Sequence, residues 1–105
     1  MSEEKENIVI DLFDRLCMKS GSDTLKVDNL RRSFLPTEFT YSNDKNVSNV
    51  KEMFDYLIDL FVCLNLSIKN RNYFDLDDFL YMFDNFAFFI EDDNVFRKMT
   101  KTCFK

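Results

Sequence analysis

Leu25-Lys-Val27-Asp28-Asn29-Leu30-Arg-Arg-Ser-Phe34 and Phe74-Asp-Leu76-Asp77-Asp78-Phe79-Leu-Tyr-Met-Phe83 are one pattern written twice. In each, apolar-x-apolar-Asp is followed by Asn or Asp, an apolar residue, three variable positions and Phe. The copies lie 49 residues apart with no gap between them. At the same shift Ile8, Val9, Leu12 and Cys17 fall on Leu57, Ile58, Phe61 and Leu66. Each copy therefore reads as a helix, a polar loop, one extended apolar residue and a second helix.

The flanking sequence supports this division. Residues 7–18 place Ile8, Val9, Leu12, Phe13 and Leu16 near one face at helical spacing, and 19–24 are turn formers. The pattern from Leu25 to Phe34 is stopped by Pro36, because the residue before proline disfavours the helical region. Residues 36–47 read as a polar linker. Asn49, with Glu52 three residues on, is placed to cap a helix over about 49–65. Asp75 is placed to cap one running through about Phe89, and Asp92 or Asp93 a short last one ending near Cys103. The expected organisation is one all-α domain over 1–105, with unit one at about 5–35, a linker at 36–48, unit two at about 49–90 and a terminal helix at about 93–103.

Composition narrows the function. The 105 residues include 13 Phe and 4 Tyr but one Gly, one Pro and no His. So little Gly and Pro argues against hairpin-rich sandwiches and barrels. Without His the chain lacks the commonest general base and metal ligand, and its Ser and Cys residues lack a His to activate them. No catalytic set is expected, and the chain reads as no enzyme. The net charge of −5 argues against a nucleic-acid partner. No apolar run reaches the roughly 18–20 residues of a membrane span. The acidic start, Met1-Ser-Glu-Glu-Lys-Glu6, is unlike a secretory signal. Cys17, Cys63 and Cys103 are odd in number and far apart, as expected of free, buried thiols in a reducing cytoplasm.

Paired helix–loop–helix units of this spacing resemble EF-hands, whose loops offer oxygen ligands at positions 1, 3, 5, 7, 9 and 12, with Gly at 6. With Leu25 and Phe74 at position 8, where paired loops touch, the loops are Met18 to Asn29 and Ser67 to Asp78. Position 6 is then Asp23 or Asn72, residue types that tolerate positive φ. The ligand positions are not preserved. Loop one offers Met18, Ser20, Ser22 and Asn29, and loop two offers Ser67, Lys69, Arg71 and Asp78. Calcium needs six to eight oxygens, so no metal site or cofactor is expected and calcium is not an expected ligand. Asp75, Asp77 and Asp78 read as first-turn acids that suit a helix dipole, as does Glu91-Asp92-Asp93.

From Phe74 to Met99 the chain resembles the C-terminal end of calcyphosine-type EF-hand proteins. The features that carry this are Met82-Phe83, the apolar stretch Phe86 to Ile90, Glu91-Asp92-Asp93, Phe96, Met99 and Phe104. The resemblance implies an EF-hand-type fold without its calcium switch. It also implies a constitutive structural or adaptor role toward a protein partner, either a helix or a filament component. Cytoskeletal and ciliary axoneme proteins, tubulin among them, are the partners it suggests. A calcium-responsive sensor using Ser20, Ser22, Asp23 and Asp78, and a regulatory subunit like a myosin light chain, are the alternative readings.

The segment Phe79 to Ile90 is apolar nearly all round, wider than the stripe of an ordinary surface helix. Either the final helix folds back over it, or it forms a hydrophobic groove for a partner. Leu80, Met82, Phe83, Phe86 and Phe89 are the partner-facing candidates.

Overall fold

The computed structural model describes residues 1–34, 47–88 and 90–104. Within them the fold is all-α, with one two-stranded ribbon. Helix α1 spans Glu3–Ser20. Its N-cap is Ser2, whose hydroxyl accepts the Lys5 backbone N–H at 3.1 Å, and Glu3, Glu4 and Glu6 complement the helix dipole. The helix ends where Gly21 enters the left-handed region at φ 67°. There the amides of Gly21 and Ser22 return to the carbonyls of Met18 and Cys17 at 3.2 Å each, satisfying groups that a helix end leaves unpaired. Strand β1 (Leu25–Lys26) leads straight into helix α2 (Val27–Ser33).

The second unit follows the same order. Helix α3 (Val47–Cys63) widens into a π-helical turn over Leu64–Ile68. Strand β2 (Tyr73–Phe74) and helix α4 (Leu76–Ala87) follow. Helix α5 (Asp93–Cys103) is capped by Asp92, whose Oδ1 accepts the amides of Asn94 at 2.8 Å and Val95 at 3.2 Å.

The strands pair antiparallel, Leu25 opposite Phe74 and Lys26 opposite Tyr73, so equivalent residues of the repeat meet. The symmetry continues into the core. Val9 and Ile58, Leu12 and Phe61, Leu30 and Phe79, and Phe34 and Phe83 are all buried. It breaks where the buried equivalent of Leu16 is the polar Asn65, and where buried Cys17 falls on the exposed Leu66.

Aromatic rings knit the units together. Phe13 of α1 meets Phe79 of α4 with ring centroids 5.1 Å apart. Phe83 lies 4.7 Å from Phe79, 6.3 Å from Phe96 and 5.7 Å from Phe104. Phe34 and Phe104 form a backbone bridge and stack at 5.3 Å. Such pairs add about 0.5–1.5 kcal/mol each beyond the area they bury. Polar contacts then tie α5 to α1. The buried Lys5 donates to the Glu91 carbonyl at 2.7 Å and pairs with Asp93 at 3.5 Å. Arg15 donates to the carbonyls of Thr100 and Phe104 at 3.3 Å, capping the end of α5.

Several expectations change. The left-handed residues among those described are Gly21 and Asn70, not Asp23 and Asn72. Both sit two places earlier, at equivalent repeat positions, because α1 and the π-helical turn run on into the loops. The second unit's first helix begins at Val47 rather than Asn49, and α4 closes at Ala87. Cys17 is buried, but Cys63 is exposed, on the outer side of α3; the side chain of Cys103 lies outside the described residues. Most of the expected linker, residues 36–46, also lies outside them. Among the described residues no helix is long and apolar enough to cross a membrane.

Gly21→Ala isolates the cost of the loop turn, because an added Cβ would meet nothing within 4 Å. The expected loss is about 1–2 kcal/mol, measured as a lower urea midpoint with an unchanged slope.

Candidate functional site

The chemistry concentrates in the second loop, between the π-helical turn and α4. Asn65 is buried inside that turn, where its side-chain amide donates to the Tyr73 carbonyl at 2.9 Å and its own carbonyl accepts the Arg71 amide at 2.7 Å. These bonds fold the loop back against β2. Asn70 then takes φ 56°, and Lys69 and Arg71 flank it.

Both basic residues converge on Asp78. Its carboxylate is 4% exposed and receives Lys69 Nζ on Oδ1 at 2.5 Å and an Arg71 guanidinium nitrogen on Oδ2 at 2.8 Å. Oδ2 also accepts the Asp75 amide at 3.2 Å, and Asp75 Oδ1 accepts the Asp78 amide at 2.9 Å. This reciprocal pair is a capping box, which satisfies two donors at the start of α4. A second Arg71 nitrogen reaches Asp75 Oδ2 at 3.3 Å. The Arg71 guanidinium also lies over the Tyr73 ring, 5.2 Å from its centroid, a favourable cation–π placement.

Two cations thus neutralise two carboxylates. The hydrogen bond from the Asp78 amide is the main influence holding the Asp75 carboxyl below its usual range; burial opposes it, and Arg71 reinforces it. The cluster leaves Asn65 Oδ1 and Arg71 Nε buried without a hydrogen-bond partner.

Loop one holds no counterpart. The Ser20 hydroxyl donates to the carbonyls of Leu16 at 3.4 Å and Cys17 at 3.1 Å. Ser22 accepts the Thr24 amide at 3.2 Å, and Asp23 is exposed. The ligand set Ser20, Ser22, Asp23 and Asp78 is therefore committed elsewhere or open to solvent. Among the described residues no group of three or more Cys, Asp or Glu is placed to hold a metal ion. The Cys17 thiol is held above its ordinary pKa, first by burial and then by Asp14 and Asp23, the reverse of an activated nucleophile.

The partner-facing candidates need correction. Met82, Phe83 and Phe86 are fully buried and Leu80 is half-buried; Phe89 lies outside the described residues. The reason is that α1 and α3 pack along α4 and the rings of Phe96 and Phe104 reach Phe83, so most of the apolar surplus of α4 belongs to the chain's own core. The outward apolar residues among those described are instead Met1, Met18, Tyr56, Leu60, Leu66, Ile68, Tyr81 and Phe88. The Lys69–Asp78–Arg71 cluster had a sequence signal in two basic residues at ligand positions. The outer face of α3 shares its helix with the core residues Leu57, Ile58 and Phe61, so its apolar positions read as core in the sequence.

No family model, curated protein or solved structure matches this chain.

Asp78→Ala removes half of the capping box and leaves Lys69 and Arg71 without their shared carboxylate. Those side chains are 41% and 25% exposed, so water moderates the loss to about 2 kcal/mol, below the 3–5 of a fully buried broken pair. Acid acts on Asp75. A lowered folded-state pKa gives stability that is present above the unfolded value near roughly pH 4 and is lost as pH falls through the folded value. Asp75→Asn keeps a capping oxygen but does not titrate, so thermal melts should show a shallower acid decline than in the parent.

Proposed function

We propose that this chain is a non-catalytic, calcium-independent module of the EF-hand type that holds a protein partner. The observation that carries this reading is the pair of basic residues on Asp78. In the expected loop register Lys69, Arg71 and Asp78 fall at ligand positions three, five and twelve. A divalent ion there would have to displace two cations that are part of the chain. It would then find few oxygens, because hard cations require several carboxylate or carbonyl ligands. The antiparallel contact of Leu25 with Phe74 supports the pairing of two such loops. The cluster does for the loop what a bound ion would otherwise do, fixing the entry to α4 at all calcium levels.

A role in holding a partner follows from what is left once catalysis and ion sensing lose their chemical support. The resemblance to calcyphosine-type proteins favours a cytoskeletal or axonemal component as the partner.

Calorimetric titration of the full chain with calcium is expected to give no saturable heat, with an unchanged circular dichroism spectrum. A site binding in the micromolar range would overturn the reading.

A further inference from the structure

Helix α3 is apolar on two sides. Leu57, Ile58 and Phe61 are buried in the core. On the outer side Tyr56, Leu60, Leu64 and Ile68 recur every fourth residue, and the wide π-helical turn keeps Ile68 in line with the others, since a π-helix advances more than four residues per turn. Tyr56 is 68% exposed, Leu60 50% and Ile68 75%; Leu64 is half-buried at the base. The ridge extends for roughly 18 Å at the helical rise per residue.

Charge selects its occupant. The exposed acids Glu52, Asp55 and Asp59 run along the same helix, whose one basic residue in sequence is Lys51. Asp59 is paired with Arg31 of α2, which leaves Glu52 and Asp55 as the open flank. The neighbouring α4 has neither Lys nor Arg; its Asp77 is exposed, while Asp78 is paired with Lys69 and Arg71 and Asp84 with the Met1 amino group. A second copy of this chain would bring one acidic row against another, and like charges across an interface are unfavourable. The core side of the fold is closed to a partner, because Phe96 and Met99 of α5 and Phe104 just beyond it are buried there.

We propose that the Tyr56–Leu60–Leu64–Ile68 ridge is a docking surface for an amphipathic helix of a partner protein whose apolar stripe is flanked by Lys or Arg. The surface deepens the reading of the chain as a partner-holding module and rests on it. Leu60 sits mid-ridge and supplies its central contact, where binding energy concentrates. Glu52 and Asp55 at the rim govern the rate of association and its dependence on salt.

The test is fluorescence anisotropy of the full chain against a labelled Leu/Lys helical peptide of roughly 18 residues, long enough to cover the ridge as a helix. A Leu/Glu peptide of the same pattern is the control. The Leu/Lys peptide is expected to bind saturably and the Leu/Glu peptide not to bind. Leu60→Ser should weaken binding about tenfold, the loss of one mid-interface contact. The combined change of Glu52→Lys and Asp55→Lys should abolish its salt dependence. Both variants should keep the parent's thermal melt, because the altered side chains are exposed.

Undiminished binding by Leu60→Ser overturns the ridge alone and leaves the module reading standing. Failure of the parent to bind either peptide overturns both. Equal binding of the two peptides overturns the charge selection. A Leu60→Ser melt well below the parent's assigns Leu60 to the chain's own packing. A parent dimer in sedimentation equilibrium that Leu60→Ser dissolves assigns the ridge to a second copy. Either of the last two results overturns the proposal.

Discussion

A helix–loop–helix hairpin with one apolar face has nothing of its own to pack that face against. Here the constraint is met by joining two hairpins at Leu25 and Phe74, where four residues of ribbon bring equivalent points of the repeat together. Leu25 and Phe74 are both buried, so the contact is at once a backbone pairing and a core contact. With the loops joined, α1 and α3 both pack against α4. The position of the basic cluster and the aspect of α3 left to solvent both follow from that junction. Its reach is extended by Val27, whose amide donates to the Asn72 carbonyl at 3.1 Å.

What could be read from the chain beforehand follows from this geometry. The 49-residue shift was legible because burial repeats, and Val9 and Ile58 or Phe34 and Phe83 are apolar for the same reason in both units. The caps at Asp75 and Asp92 were legible because they depend on side-chain chemistry at a single position. Loop interiors were not. The turn moved to Gly21 and Asn70 because the preceding helices continue for as long as their amides find carbonyl partners, and a π-helical turn has no composition that separates it from the helix before it. Asn65 interrupts the repeat for a reason visible only in three dimensions, since its amide is needed by the Tyr73 carbonyl. The candidate contacts on α4 failed because residues at Met82, Phe83 and Phe86 look alike in sequence whether covered by the same chain or by another.

The charge cluster also shows why residue type can mislead about role. Asp75, Asp77 and Asp78 crowd one helix start as metal ligands do. Asp78 is nonetheless committed to Lys69 and Arg71, and Asp75 to the amide of Asp78. Lys69 and Arg71 give Asp78 an internal partner, so the start of α4 is fixed by the chain's own charges.

The contacts of α1 carry a different consequence. Lys5 reaches Glu91 across 86 positions of chain, and Arg15 reaches Thr100 and Phe104 across 85 and 89. Closing loops of that size slows folding, because their entropy is lost before the contacts reward it. Helix α1 precedes both α4 and α5, the helices that pack on it. Val9, Leu12, Phe13 and Leu16, buried in the finished fold, therefore stay uncovered until those later helices are in place, and the first unit has no complete core of its own.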